Sequence, residues 1–335
     1  MQMTRLAVAG VAACAMLAIA TPSRAADGDY KGWFAALDVA MTQPNSLDQH
    51  YANHVVTNAP VSTTERLVME NDSHTTWRGS VGYSFGKSLG SLRVSYWNFD
   101  NDDENTKNGL LGGVYPTIVG YGFSASPYLG YASNATYPID VTATSSIKAK
   151  TVDIDYVRPM IAGEKLSVRW IAGLRVATYE EDQGFSGTIT YGLGSYTYTQ
   201  NKNFKSTAKG PKVGVAAVFE FTKHFQMVGG MSVSFLQADT KGTARAVDSG
   251  GNVDNLSVND DYIRGEIRDY DLKAVWAGYG HLDYYLGYSA SEWNGLVADP
   301  LPASMTGIGS VQSRGRDTIA FNSLHGGVIF RFGKK

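Results

Sequence analysis

Apolar and polar residues alternate with a period of two over most of the chain after residue 30. Between residues 166 and 176, Leu166, Val168 and Trp170 begin one apolar face, while Arg169 and Arg175 fall on the opposite face. An α-helix would turn both arginines toward the apolar side, so the period favours β-strands. The alternation predicts ten strands, at residues 33–41, 77–85, 92–96, 152–156, 166–176, 213–221, 225–235, 270–276, 282–288 and 324–332.

The connections between these strands are of two lengths. Short connections at 85–90, 158–165, 221–225 and 278–282 alternate with long polar ones near 42–74, 101–146, 183–206, 240–266 and 294–316. Bacterial outer-membrane barrels show this asymmetry, with short periplasmic turns and long extracellular loops. We therefore predict an all-β fold, a transmembrane antiparallel β-barrel of ten strands, because a closed barrel satisfies every backbone hydrogen bond inside lipid.

Two alternatives to a ten-stranded barrel remain open at this point. Residues 110–119 and 128–131 are apolar enough to add one more hairpin, which would give twelve strands. The alternation also fits an exported, soluble β-sandwich whose polar strand faces are solvated.

The first 25 residues are predicted to be a secretory signal peptide. Arg5 precedes an apolar run at residues 6–20, and Ser23 and Ala25 supply the small residues for a cut after Ala25. Residues 26–335 would then form a single outer-membrane barrel domain without cysteine. The chain carries 29 basic and 31 acidic residues, and this balance argues against nucleic-acid binding through bulk charge.

Charged side chains occupy many of the predicted inward positions. Arg or Lys at the lipid-facing midplane of a barrel costs about 2–4 kcal/mol, so these charges are predicted to line a polar lumen. A ten-stranded barrel is narrow, and this wall could either form a plugging network or line a weakly selective pore. The predicted lining residues are the bases Arg78, Arg93, Arg169, Arg175, Lys212, Lys273 and Arg331, and the acids Asp38, Asp153, Asp155, Glu220, Asp269, Asp271 and Asp283.

Aromatic residues lie on the predicted outward faces, many of them near strand ends. Such rings favour the headgroup layer and are expected to form the two girdles of an outer-membrane barrel. Near the C-terminus, Gly327, Phe330 and Phe332 have the spacing of a recognition signal for the barrel assembly machinery.

Several segments occur in a recognisable order. They are GWF at 32–34, QPNSLD at 43–48, LRVSYWNFD at 92–100, VDIDYVR at 152–158, LSVRWIAGLR at 166–175 and GPKVG at 210–214. Together they resemble the Legionella-type major outer membrane protein family of pore-forming barrels, over most of the predicted mature chain. The resemblance implies a pore, and it permits a homotrimer.

We therefore expect an outer-membrane pore for passive diffusion of small hydrophilic solutes or ions. Its expected partners are outer-membrane lipid, the barrel assembly machinery and those solutes. The alternative function is a closed barrel that acts as an adhesin or a structural envelope protein through its long external loops. We expect no enzyme, no cofactor and no metal site. Ser323 and His325 share an inward face, but the pattern places no acid beside them.

Overall fold

The computed structural model describes residues 31–334, with gaps at 47–49, 59–60, 70–71, 87–88, 112, 117–136, 164, 192–193, 252, 279–281 and 299–315. The predicted signal peptide lies outside the described residues. The described strands are β1 (Lys31–Ser46), β2 (His50–Asn58), β3 (Val61–Val68), β4 (His74–Phe85), β5 (Ser91–Leu110), β6 (Gly113–Pro116), β7 (Ile139–Ala162), β8 (Leu166–Tyr191), β9 (Gly194–Thr222), β10 (Phe225–Asp248), β11 (Val253–Ala277), β12 (Leu282–Ala298) and β13 (Arg316–Lys334). Among these residues there is no helix of the length and apolarity needed to cross a membrane.

Ten of the described strands close into one antiparallel barrel, which confirms the predicted fold. Their order is β1-β13-β12-β11-β10-β9-β8-β7-β5-β4, and β4 pairs with β1 again. At the closure, Trp33 of β1 lies between Phe332 of β13 and Tyr83 of β4. Closure leaves the ring without an unpaired edge, which is the condition for burying strands in hydrocarbon.

The twelve-strand alternative is wrong, because the extra segment does not enter the ring. β6 instead joins β2 and β3 in a separate sheet of order β3-β2-β6, which we call the cap sheet. β6 ends at Pro116, which has no backbone N–H to continue a ladder. The second segment of that hypothesis, residues 128–131, lies outside the described residues.

Strands β8 to β11 extend much further than the sequence pattern predicts, and β9 alone has 29 residues. The regions 183–206 and 240–266, expected to be long loops, are mostly strand and are joined by short connections between 191 and 194 and between 248 and 253. The alternation continues there, but the residues that face inward are now the apolar ones and those that face outward are polar. On β9, Phe204 and Ala208 are buried inside while Lys205 and Thr207 are exposed outside. A run of exposed polar residues resembles a loop when only the sequence is read.

The half of the barrel next to the short turns presents apolar side chains outward. Trp33, Leu37 and Met41 on β1 are each at least half exposed, and apolar residues at equivalent positions on the other barrel strands, such as Val81 and Leu272, are exposed as well. We call this surface the lipid band. Aromatic side chains contact one another along it, for example Phe225 and Trp276, whose ring centroids are 5.2 Å apart. The surface has the composition and position expected of the membrane-spanning region of an outer-membrane barrel.

The far ends of the strands enclose an apolar core rather than a channel. The cap sheet packs its buried Ala52, Leu67 and Val114 against the inner faces of β7 to β10, including Val141 and Phe185. The barrel mouth in the described part of the chain is therefore covered by chain segments that precede β4 and β7.

Adjacent glycines on β13 provide a test of the inner packing. Gly327 faces inward, where an added Cβ would lie 2.6 Å from the Tyr285 hydroxyl, whereas a Cβ on Gly326 would find nothing closer than 3.6 Å. The Tyr285 hydroxyl donates a 2.8 Å hydrogen bond to Asp38. We predict that Gly327→Ala costs about 1–3 kcal/mol through overpacking and loss of this bond. Gly326→Ala should leave stability nearly unchanged.

The measurement is the temperature at which the folded barrel loses its compact migration in a detergent gel. Equal transition temperatures for Gly326→Ala and Gly327→Ala would contradict the inner-face packing described here.

Candidate functional site

Both faces of the barrel strands change polarity at about the same level. Below this level, toward the short turns, the inner face carries the charged residues together with apolar ones such as Val218, and the outer face is apolar. Above it the outer face is polar and the inner face is mainly apolar, with a few buried polar residues such as Gln200 and Lys202. On β8, for example, the outward Val176 is followed by Thr178, and the inward Arg175 is followed by Ala177. The inner face changes from polar to apolar at Ser95/Trp97, Thr151/Ala149, Arg175/Ala177, Lys212/Ala208, Ser234/Leu236, Asp269/Ile267, Ser291/Trp293 and Ser323/Phe321.

A chain of ion pairs crosses the lumen below this level. Arg175 binds Asp153 through two hydrogen bonds of 2.6 Å and reaches Asp269 at 2.7 Å. Lys212 contacts both Asp153, at 2.7 Å, and Asp155, at 3.2 Å. We call these groups, with Arg93, the charge network.

The charge network joins strands that are not neighbours in the ring. Lys212 on β9 reaches Asp153 on β7, past the intervening β8, and Arg175 on β8 reaches Asp269 on β11. Arg93 on β5 donates to Asp155 on the adjacent β7 at 2.8 Å. Ser291 on β12 also donates to Asp269, at 2.7 Å. Three bases face three acids, so the network is neutral in sum, and the bidentate geometry around Arg175 is the strong form of such a pair.

A second polar group lines the wall formed by β11, β12, β13 and β1. Lys273 pairs with Asp271 at 3.1 Å, and its ammonium also lies 5.0 Å from the centre of the Tyr285 ring. Arg331 pairs with Asp283 at 2.6 Å. These contacts hold long side chains against the wall.

The structure places the fourteen predicted lining residues on the inner face, and eleven of them line one cavity of about 350 Å³. Asp155 and Asp283 are buried and do not line the cavity directly, and each is in contact with a base. Glu220 is opposite Gln226 in the register, near the short turn. The residues that line the cavity directly are Asp38, Arg78, Arg93, Asp153, Arg169, Arg175, Lys212, Asp269, Asp271, Lys273 and Arg331.

The predicted assembly signal is split between the two faces of β13. Phe330 and Phe332 point outward into the lipid band with their rings stacked at 6.5 Å, and Gly327 faces the lumen.

An aromatic layer lies directly above the charge network, and the sequence interpretation missed it. Its rings contact one another across the barrel: Tyr179 on β8 lies 6.4 Å from Trp293 on β12, and Phe99 on β5 lies 5.0 Å from Phe321 on β13. The layer consists of Trp97, Phe99, Tyr179, Phe204, Trp293 and Phe321, all less than 10% exposed. The sequence signal that would have revealed it is that, part-way along these strands, the apolar residues move from the outward positions to the inward ones.

Ser323 and His325 share the inner face of β13, and Asp271 lies near His325, although the sequence pattern placed no acid beside this pair. Ser323 hydrogen-bonds Thr42 at 2.8 Å rather than His325, and His325 lies 3.4 Å from Ser289 and 3.6 Å from Asp271. These distances around His325 are long for a nucleophile–base–acid relay. The described part of the chain contains no group of side chains that would hold a metal ion.

Comparisons with known proteins agree with the geometry. Residues 29–263 match the family described as Legionella pneumophila major outer membrane protein precursor. No curated protein sequence matches significantly.

Among solved structures, the outer membrane protease OmpT from Escherichia coli is similar in fold, with 11% identity, a TM-score of 0.50, and coverage of 90% of this chain and 97% of OmpT. The toluene transporter TodX of Pseudomonas putida aligns over 93% of this chain and 92% of its own, with 9% identity and a TM-score of 0.26. The toluene transporter TbuX of Ralstonia pickettii aligns over 91% and 90%, with 11% identity and a TM-score of 0.24. OmpT supports the fold alone, and the two transporters carry no argument about this chain.

Breaking the charge network is predicted to cost far more stability than breaking an exposed ion pair. Asp153→Asn leaves Arg175 and Lys212 with one acid fewer in a buried site, which should cost about 3–5 kcal/mol. The matched control is Glu180→Gln on the outer face of the external half. Lys205 hydrogen-bonds Glu180 at 2.5 Å and so lowers the pKa of that carboxyl, but an exposed pair contributes at most about 1 kcal/mol.

Urea unfolding in detergent, followed by tryptophan fluorescence, measures both variants against the unaltered chain. A loss for Asp153→Asn no larger than that for Glu180→Gln would mean that the network does not stabilise the barrel.

Proposed function

The chain belongs to the Legionella major outer membrane protein family, and from that premise we propose that it is an outer-membrane barrel closed to solutes whose external half carries its function. In this proposal the protein acts as an adhesin or structural envelope protein, without catalysis. The membrane-embedded half anchors the barrel, and the external half presents a rigid surface beyond the lipid.

The observation that carries this proposal is the aromatic layer. Its rings contact one another at centroid distances of 5.0 to 6.4 Å in stacked, tilted and edge-to-face arrangements, and this is the range in which aromatic pairs attract. Aliphatic side chains such as Ile147 and Leu236 fill the spaces between the rings. A hydrated solute entering from outside would have to displace this core and the cap sheet as well.

The external half supports a display role through its outer face. Polar residues such as Asn201, Asn203 and Thr243 point outward on long, mutually paired strands. A rigid scaffold holds loops in defined positions for binding. Here the strands that form the scaffold extend beyond the lipid band. Function in this proposal therefore belongs to the outer surface and to the connections above it.

A passive pore for small hydrophilic solutes or ions is the second candidate, and the charged cavity favours it. Arg78, Arg169 and Asp271 line the cavity below the aromatic layer, as the wall of a water-filled passage would. For this function the rings of the aromatic layer would have to move apart, so conduction would be gated rather than permanent.

Export and assembly complete the proposal. The signal peptide is cut after Ala25, and Gly327, Phe330 and Phe332 serve the barrel assembly machinery. A homotrimer stays a prediction from the family resemblance.

Planar-bilayer conductance tests the closed lumen. The unaltered, refolded chain should give no stable ohmic steps. Trp293→Ala combined with Phe321→Ala removes two central rings of the aromatic layer and should produce steps, because the space they fill would admit water. Trp276→Ala is the control, since Trp276 faces lipid and its loss should leave the lumen closed.

Heat-dependent gel migration establishes that each variant is folded, and Trp293→Ala alone serves where the double variant is unstable. Stable steps from the unaltered chain would overturn the closed barrel and favour the pore. The absence of conductance steps from every folded variant would show that the aromatic layer is not what closes the lumen.

A further inference from the structure

Basic residues occupy the upper border of the lipid band on one side of the barrel only. Going up each strand, the first outward residue beyond the last apolar one is Lys150 on β7, Lys209 on β9 and Arg268 on β11. The strands between them carry uncharged polar residues at this position, Thr178 on β8 and Gln237 on β10.

The other half of the ring differs at the same level. There the first polar outward residues are Glu292 on β12, Asn322 on β13, Gln43 on β1, Thr75 on β4 and Asn98 on β5, and none is basic. The three basic border residues are thus on alternate strands from β7 to β11, and Glu292 is opposite Arg268 in the register. We call Lys150, Lys209 and Arg268 the basic border.

Two members of the basic border are exposed and make no ion pair with any described residue. Lys150 and Lys209 are both exposed, and Lys209 is opposite the outward Val176 of the lipid band in the register. Arg268 is paired on its own strand with Glu266 at 2.6 Å. Glu180 interacts with the charge of Lys150 but is itself hydrogen-bonded to Lys205. The ammonium groups of Lys150 and Lys209 therefore face the surroundings of the barrel at the level where hydrocarbon ends.

The register sets the spacing of the two lysines. Lys150 is opposite Thr178, and Lys209 is opposite Val176, so they stand two strands and two residues apart. With strands about 4.8 Å apart and about 3.4 Å of rise per residue, their backbones are separated by about 12 Å. Long lysine side chains can bring their ammonium groups together on one headgroup or direct them to two phosphates of one molecule.

We propose that the basic border is a binding surface for phosphorylated lipid headgroups of the outer leaflet. The long strand extensions and the cap sheet lie on the external side, so the upper border of the lipid band faces that leaflet. The surface continues the lipid band without interruption, and its charge is complementary to phosphate. Thr178 and Gln237 add hydroxyl and amide donors between the bases.

Binding of a phosphorylated glycolipid tests this surface in the folded full chain. Native mass spectrometry would count lipid A bound to the detergent-solubilised barrel, and the same glycolipid with both phosphates removed is the second ligand. Lys150→Gln combined with Lys209→Gln should lower affinity for lipid A about thirty-fold, as expected for two bases at a membrane surface. Added salt should weaken binding to the unaltered chain.

The matched control is Lys241→Gln combined with Arg245→Gln. It removes the same charge from exposed positions of β10 that lie further from the lipid band, and it should retain lipid A as the unaltered chain does. Equal loss in both double variants would mean that total charge rather than the basic border binds the lipid. Equal binding of the dephosphorylated glycolipid by the unaltered chain would overturn the proposal without any variant.

Discussion

Eight of the ten described barrel strands pass from hydrocarbon into water part-way along their length, and both of their faces change polarity there. In hydrocarbon the outer face has to be apolar, because charge facing lipid is costly, and polar groups collect inside. In water the preference reverses, so the outer face is polar and the inside can hold an apolar core. β8 shows both halves, with Arg175 inward beside Val176 outward, then Tyr179 inward beside Glu180 outward.

This exchange determines how the inside of the barrel is filled. The membrane half carries the charge network, in which neighbouring acids and bases neutralise one another, and the external half carries the aromatic layer. The two packings are complementary: the rings exclude water above the ions, and the pairing of Arg175 with Asp269 holds non-neighbouring strands at fixed separation. A barrel built this way is stabilised across its lumen as well as around its circumference.

The fold was predictable because its strongest constraint is local. Period-two alternation in segments such as 166–176 identifies the strands, and inward parity identified the charged residues of the lumen. The external half was not recognised, because residues such as Ala208 and Thr207 alternate weakly in hydropathy. Tyr96 and Trp97 illustrate the difficulty, since both faces are aromatic where the polarity exchanges.

The ion pairs across the lumen could not be predicted from the sequence, for a different reason. The contact between Arg175 and Asp269 depends on the stagger between strands around the closed ring, which no single strand encodes.

The central claim is that the aromatic layer closes the lumen toward the outside. Ser95 lines the cavity just below Trp97 on β5, and the predicted mature chain has no cysteine. The most direct measurement is labelling of Ser95→Cys in liposomes of known orientation with a membrane-impermeant thiol reagent. We predict reaction from the periplasmic side only, and equal reaction from the external side would contradict a closed lumen.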